Sequence, residues 1–275
     1  MSPPPDLPDG TVERWAWDYV SSTSLDHKRA PPPPPRDFAP APAALRLAAP
    51  GRPPELRVTR KAPKSPGPEA LRAPERRAAL LHTFLHHELQ AAELMAWAIL
   101  AFPDAPEAFR QGLLGVARDE IRHLAMYEEH LAALGARYGS FPVRDWFWER
   151  IPRVATPAAF VAAFGMGLEG ANLDHTARFA ERFRAIGDEA GALLQERVGA
   201  EEVPHVRFAQ HWFARFSGAE HASFAAWAEA LPAPLSPLLM RGFPLNREAR
   251  LEAGFTPTFV DELSQWSPPP PAPGT

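Results

Sequence analysis

Apolar residues recur at helical spacing through the middle of the chain and lose that order towards both ends. Leu81, Phe84, Leu85, Ala92 and Met95 form one stripe in a segment from about residue 75 to 101, bounded by Pro74 and by the turn sequence FPDAP. Spacings of three and four mark a helix with one face in a core. A second helix is predicted from Pro106, a favoured first-turn proline, to just before Gly135, with Phe109, Leu113, Val116 and Tyr127 on one face. A third opens at Thr156, an N-cap followed by Pro157, and runs to Gly187. A fourth runs from Asp188 to Ser217, carries Val198, Ala209 and Trp212 on its apolar side, and stops at Gly218. HASFAAWAEAL reads as a shorter helix, and GFPLNREARLEAGFTPTFVDELSQW as two more parted by Gly254.

The connections restrict how these helices pack. A turn of about five residues makes the first two antiparallel neighbours, and the Gly187-Asp188 join does the same for the third and fourth. Some twenty residues, 136 to 155, separate the two hairpins, far more than an up-down-up-down bundle needs. The fold class predicted is all-α: a ferritin-like four-helix bundle of two antiparallel hairpins joined by a long crossover.

Proline marks the boundaries. Of 34 prolines, 18 lie in residues 1–74, six in 75–218 and ten in 219–275. The expected organisation is therefore a Pro-rich arm (1–74), a four-helix domain (75–218), a C-terminal helical extension (219–266) and a disordered tail (267–275). Within the arm, VERWAWDYVSSTSL carries two Trp and a Tyr, which favours a short docked helix over a bare linker. There is no Cys, so disulfides, thiolate zinc sites and cysteine nucleophiles are excluded. The formal charge is only −4, and the basic stretch from Arg52 to Arg77 reads as a solvated arm, so nucleic acid is not an expected partner. No leader and no membrane span are read, and a cytoplasmic protein is expected.

The chemistry lies in a repeat. GVARDEIRHLAM and RVGAEEVPHVRF each carry an acid followed by Glu-x-x-His, giving Glu120 with His123 and Glu202 with His205. Residues three apart on a helix share a face and can bind one metal ion side by side. In di-iron carboxylate bundles two helices each give Glu-x-x-His and the other two each give a Glu. Glu88, 32 residues before Glu120, and Glu169, 33 before Glu202, meet that demand. One Glu-x-x-His alone is a common accident on a helix surface; two copies, each preceded by a Glu at matching distance, are not. Oxygen and imidazole ligands without sulfur suit iron, manganese or a mixed pair, and also zinc. Two Fe ions are the expected cofactor.

Asp119 and Glu201, just before each motif, are placed to receive a ligating histidine's second ring nitrogen. Glu201 is alternatively a solvated neighbour, or a ligand in place of Glu202. Tyr127, one turn past His123, is a core residue or a phenol near the metals. His86 and Glu93 read as a structural pair, with His82 and His87 facing outward. Gly165, Gly167 and Gly170, interior to a helix where each costs about 1 kcal/mol against Ala, imply either close packing or space beside Glu169. Pro204 predicts a kink in the fourth helix.

At HTFLHHELQAAELMAWAILAFPDAP, DEIRH, FGMGLEGANLDH and EEVPHVRFAQHWF the chain resembles a bacterial ferritin-like family, the domain of unknown function 455. The resemblance spans residues 75–218 and more loosely NREARLEAGF. It implies a ferritin-like fold with a di-metal site held by Glu88, Glu120, His123, Glu169, Glu202 and His205, and no particular substrate. The function expected is that of a non-haem di-iron oxygenase or oxidase acting on dioxygen and an organic small molecule, with an electron donor. A monomer or dimer is expected, because the arm, crossover and tail obstruct a shell. The alternatives are an iron-oxidising, iron-storing or peroxide-scavenging protein, and a metal-free helical interaction module.

Overall fold

The computed structural model describes residues 7–61 and 66–268. The expectations for the first six residues and for the tail beyond residue 268 lie outside the described residues. The described chain is all-helical, with isolated bridges Thr11–Asp37 and Val58–Val143 but no strand. Among the described residues no helix is long and apolar enough to cross a membrane. Contacts divide the chain into two units, Met1–Arg153 with Ile186–Leu194, and Val154–Ala185 with Gln195–Thr275.

The first unit is built on α3 (Pro74–Ala101) and α4 (Glu107–Ala133), antiparallel across the short turn that the sequence predicts. From Leu89 to Ala101 α3 is buried on every side, which a one-sided apolar stripe does not foretell. The arm is the reason. Helix α1 (Val12–Ser21), capped by the Thr11 hydroxyl, packs along α3, and α2 (Leu25–Arg29), capped by Ser24, packs on α4. Beyond them the arm is extended but hydrogen-bonded: the Leu45 N–H donates to the Leu100 carbonyl at 2.9 Å, and buried Trp97 donates to the Leu47 carbonyl at 3.1 Å.

Charge is buried under this covering. The Lys28 ammonium and the Arg52 guanidinium reach Glu93 at 2.7 and 2.6 Å, with Lys28 and Glu93 both at 0% exposure. Arg52 continues to Asp145 at 2.8 Å, and Trp148 donates to the second Glu93 oxygen at 2.9 Å. Such a network is costly to desolvate and tolerable only when each charge is matched. Arg52, the first residue of the basic stretch read as a solvated arm, is thus largely buried, as Lys28 is completely.

In the second unit the third predicted helix is not one helix. Thr156 caps α5 (Pro157–Ala163) through the Ala159 N–H at 3.1 Å, as its sequence indicates. A π-helical turn, Phe164–Glu169, follows, and α6 (Gly170–Ala185) resumes. The fourth helix, α7 (Glu189–Phe216), continues through Pro204. Pro204 is exposed, and so is Ala200, the residue whose carbonyl a proline at 204 leaves without its helical donor. After α7 come α8 (Phe224–Ala230), a 3₁₀ turn (Pro237–Met240), α9 (Arg247–Glu252) and α10 (Pro257–Gln265). Gly254, at φ +96°, parts α9 from α10, a conformation that favours glycine. Phe224, Trp227, Phe255 and Phe259 cluster, and Trp227 donates to the Ala162 carbonyl of α5 at 2.9 Å.

Candidate metal centre

In the first unit, Glu88 of α3 and Glu120 and His123 of α4 each bring a ligand atom within 4.8 Å of the others, all three side chains being buried. His123 Nδ1 lies 3.6 Å from Glu88 and 3.5 Å from Glu120. Phe84 packs edge-on to Tyr127 with ring centroids 6.1 Å apart, so the hairpin register puts Glu88 level with His123. Burial, reinforced by the neighbouring Glu120, holds the Glu88 carboxyl well above its usual range. Burial by itself disfavours the His123 imidazolium, but Glu120 and Glu88 outweigh it and push its pKa up to about 11.

The second unit repeats the construction. Glu169, Glu202 and His205 bring ligand atoms within 4.8 Å of one another, and all are buried. His205 Nδ1 sits 3.2 Å from Glu202. The register follows from packing on either side. Gly165 meets Ala209, the Asn172 amide donates to Glu202 Oε1 at 3.1 Å, and Thr176 meets Gly199. Counting along both helices puts Glu169 level with His205, as Glu88 is with His123. Asn172 escapes the sequence reading, although it stands three residues after Glu169 and so shares its face, because an amide on a helix carries no chemical signal of its own.

The glycines of the π turn admit neighbouring groups. A Cβ on Gly165 would stand 2.4 Å from the Ala209 Cβ, one on Gly167 2.8 Å from Met240 Sδ, and one on Gly170 3.5 Å from Arg250 Nη1. Close packing therefore accounts for Gly165 and Gly167, while a Cβ at Gly170 would meet only ordinary contact.

Around the triads, Asp119 pairs with Arg122 at 2.7 Å and Glu201 with Arg197 at 3.2 Å, while Tyr127 is buried in the α3–α4 core. His86 donates through Nε2 to Asp145 at 2.9 Å and accepts from the Tyr138 hydroxyl at 2.6 Å, and Glu93 binds Lys28 and Arg52. This is a structural network rather than one His86–Glu93 pair. The expectation that His82 faces outward is wrong: it is fully buried, accepts from the Gly139 N–H at 2.8 Å, and packs edge-on to Tyr138 and Phe141. The crossover covers that face of α3. His87 is half-buried against Phe147, at 4.8 Å between rings.

The family model described as "Protein of unknown function (DUF455)" matches residues 12–261. The chain belongs to this family. The match takes in α1 and the C-terminal helices as far as residue 261. An uncharacterized protein of Haemophilus influenzae is 29% identical over 208 residues, which cover 73% of this chain and 72% of that protein. No solved structure matches.

Proposed function

We propose that this DUF455 member is a ferritin-like di-iron carboxylate protein, with Glu88, Glu120 and His123 as one half of its ligand set and Glu169, Glu202 and His205 as the other. The observation that carries the reading is the repetition of one construction: a buried Glu level with the His of a buried Glu-x-x-His, in two helix pairs. The donor set fits cations. Within each triad two carboxylates share one imidazole, and the raised Glu88 pKa reflects a negative charge that burial leaves poorly compensated. Divalent iron or manganese accepts such oxygen and imidazole donors. Four carboxylates would balance two such ions.

Dioxygen reduction is the chemistry that a pair of ferrous ions supplies in such a site. The chain's own part is to hold the ions and keep the surroundings dry. Asp119 and Glu201 are proposed to orient the ligating histidines, and Asn172 holds Glu202. The first reading is oxidation of an organic small molecule, with electrons from a separate donor. A second reading, oxidation of ferrous iron or removal of peroxide, is favoured by the filling of the glycine positions by Ala209, Met240 and Arg250, since it requires room only for small reactants.

Protein reconstituted anaerobically with Fe(II) is expected to hold about two irons per chain. His123→Ala and His205→Ala should each lower that number with helical circular dichroism retained. Unchanged iron in both variants would remove the assignment. Consumption of dioxygen without added substrate, at a ratio set by the iron supplied, would select the second reading over the first.

A further inference from the structure

A π turn is uncommon beyond a single turn and concentrates at functional sites. The one here carries Gly165 and Gly167 and ends against Gly170. Gly170 donates its N–H to the carbonyls of Gly165 and Gly167, where α-geometry would send it to Met166. Nothing in the local sequence favours this: glycine is the poorest helix former after proline. The turn must be held from outside.

What holds it comes largely from the C-terminal segment. Met240 closes the 3₁₀ turn and puts its sulfur where a Gly167 side chain would be, 2.8 Å from that Cβ position. Arg250, at 0% exposure, lies over Gly170 with Nη1 and forks onto Asp174 at 3.1 and 2.7 Å. Its Nη2 also donates to the Met240 carbonyl at 3.1 Å. Asp174 stands one turn beyond Gly170 and further accepts the Gly242 and Asn246 N–H groups, both at 2.7 Å. The segment is thus fastened to α6 just after the π turn and wedged into the turn itself.

We infer that Arg250 and Met240 are positioning residues for Glu169, setting its direction by keeping the π turn from relaxing to α. The inference rests on the reading of Glu169 as a metal ligand. A π turn takes up about one residue more than an α-turn, and one residue is worth about 100° of rotation at 3.6 residues per turn. Relaxation would therefore swing α5 and α6 against each other by that angle. Glu169 is the last residue of the turn, between the Gly165–Ala209 and Asn172–Glu202 contacts, and could not keep its place between both. A buried Arg–Asp fork is poor value as a source of stability alone, since a well-packed apolar pair often does as well. Its fixed geometry specifies a register that greasy contacts would leave free.

The test replaces the fork by an apolar pair, Arg250→Met with Asp174→Leu, and in a second protein opens the wedge with Met240→Ala. Anaerobic Co(II) serves as the probe, read by its visible ligand-field spectrum and by titration, with amide hydrogen exchange of residues 164–170 as a readout that needs no metal. Wild type and Glu169→Gln are run beside them. Both altered proteins should show faster exchange at the π turn, a changed Co(II) spectrum, and affinity about 10–100-fold weaker at one of the two ions, as for loss of outer partners of metal ligands. Arg250→Lys, which keeps the charge without the fork, should recover part of that loss. Faster exchange with wild-type Co(II) affinity and spectrum would overturn the positioning role and leave a structural latch. Unchanged exchange would overturn the latch as well. If Glu169→Gln binds Co(II) as wild type does, the ligand assignment itself fails and takes the inference with it.

Discussion

A histidine deep inside a protein must stay neutral or find a counter-ion, and among the described residues no acid pairs with His82. Burial first, and then the nearby His86, lower its pKa to about 4. Because the folded value lies below the ordinary 6.5, its favourable contribution is present above pH 6.5 and is lost as pH falls towards 4. The shift corresponds to about 3 kcal/mol. Urea unfolding between pH 7 and 4 should therefore show a steeper loss of stability in wild type than in His82→Gln, which keeps an acceptor for Gly139. Asp145 acts at lower pH. Burial would raise its carboxyl, but His86 and Arg52 overcome that and hold it at about 2. The stability it contributes is present above the ordinary carboxylate value near 3.8 and is lost as pH falls through 2. Asp145→Asn should flatten that acid limb, measured as the urea midpoint from pH 4 to 2.

Among the elements, α3 and α4 were legible because Pro74, FPDAP and Gly135 bracket clean apolar stripes, and the observed ends fall within two residues of that reading. The third helix was legible at its Thr156 cap but not in its interior. Glycines at 165, 167 and 170 signal that something approaches closely, but the neighbours Ala209, Met240 and Arg250 come together only in the folded chain. The acid-and-imidazole spacing exposed both triads, since carboxylates on apolar stripes stand out; Asn172 did not, because amides on helices are ordinary. The same geometry decides between close packing and open space at Gly167. Leu at Gly167 would displace Met240 rather than fill a cavity, so Gly167→Leu should destabilise the fold by about 1–3 kcal/mol. Met240→Ala combined with Gly167→Leu should recover much of it, read as the melting temperature of each single variant and of the pair. A pair whose losses simply add would argue against the contact.

For the whole molecule, the arm was the least legible part. Its Trp and Tyr residues point to a docked helix but not to the charges it buries: Lys28 and Arg52 sit against Glu93, and Glu13 is buried between Arg110 and the Ala39 N–H at 2.6 and 2.7 Å. Sequence composition could not reveal this, because the partners lie on helices far along the chain. Removing one member of a buried ion pair strands the other, at a cost of about 3–5 kcal/mol. Glu93→Gln should lower the urea midpoint accordingly, and a loss under 1 kcal/mol would mean that water reaches the site in solution.

The same ties bear on how the chain is made. Lys28 meets Glu93, Glu13 meets Arg110 across 97 residues, and Arg29 meets Glu128 across 99. Helical proteins generally fold fast because their contacts are local, but here α1 and α2 leave the ribosome before their partners on α3 and α4 exist. At about 5–20 residues per second, the amino-terminal helices wait several seconds for α3 and α4 to emerge, carrying Trp15, Trp17 and Tyr19 uncovered in the meantime. Synthesis order, rather than helix formation, then sets when this end of the protein closes.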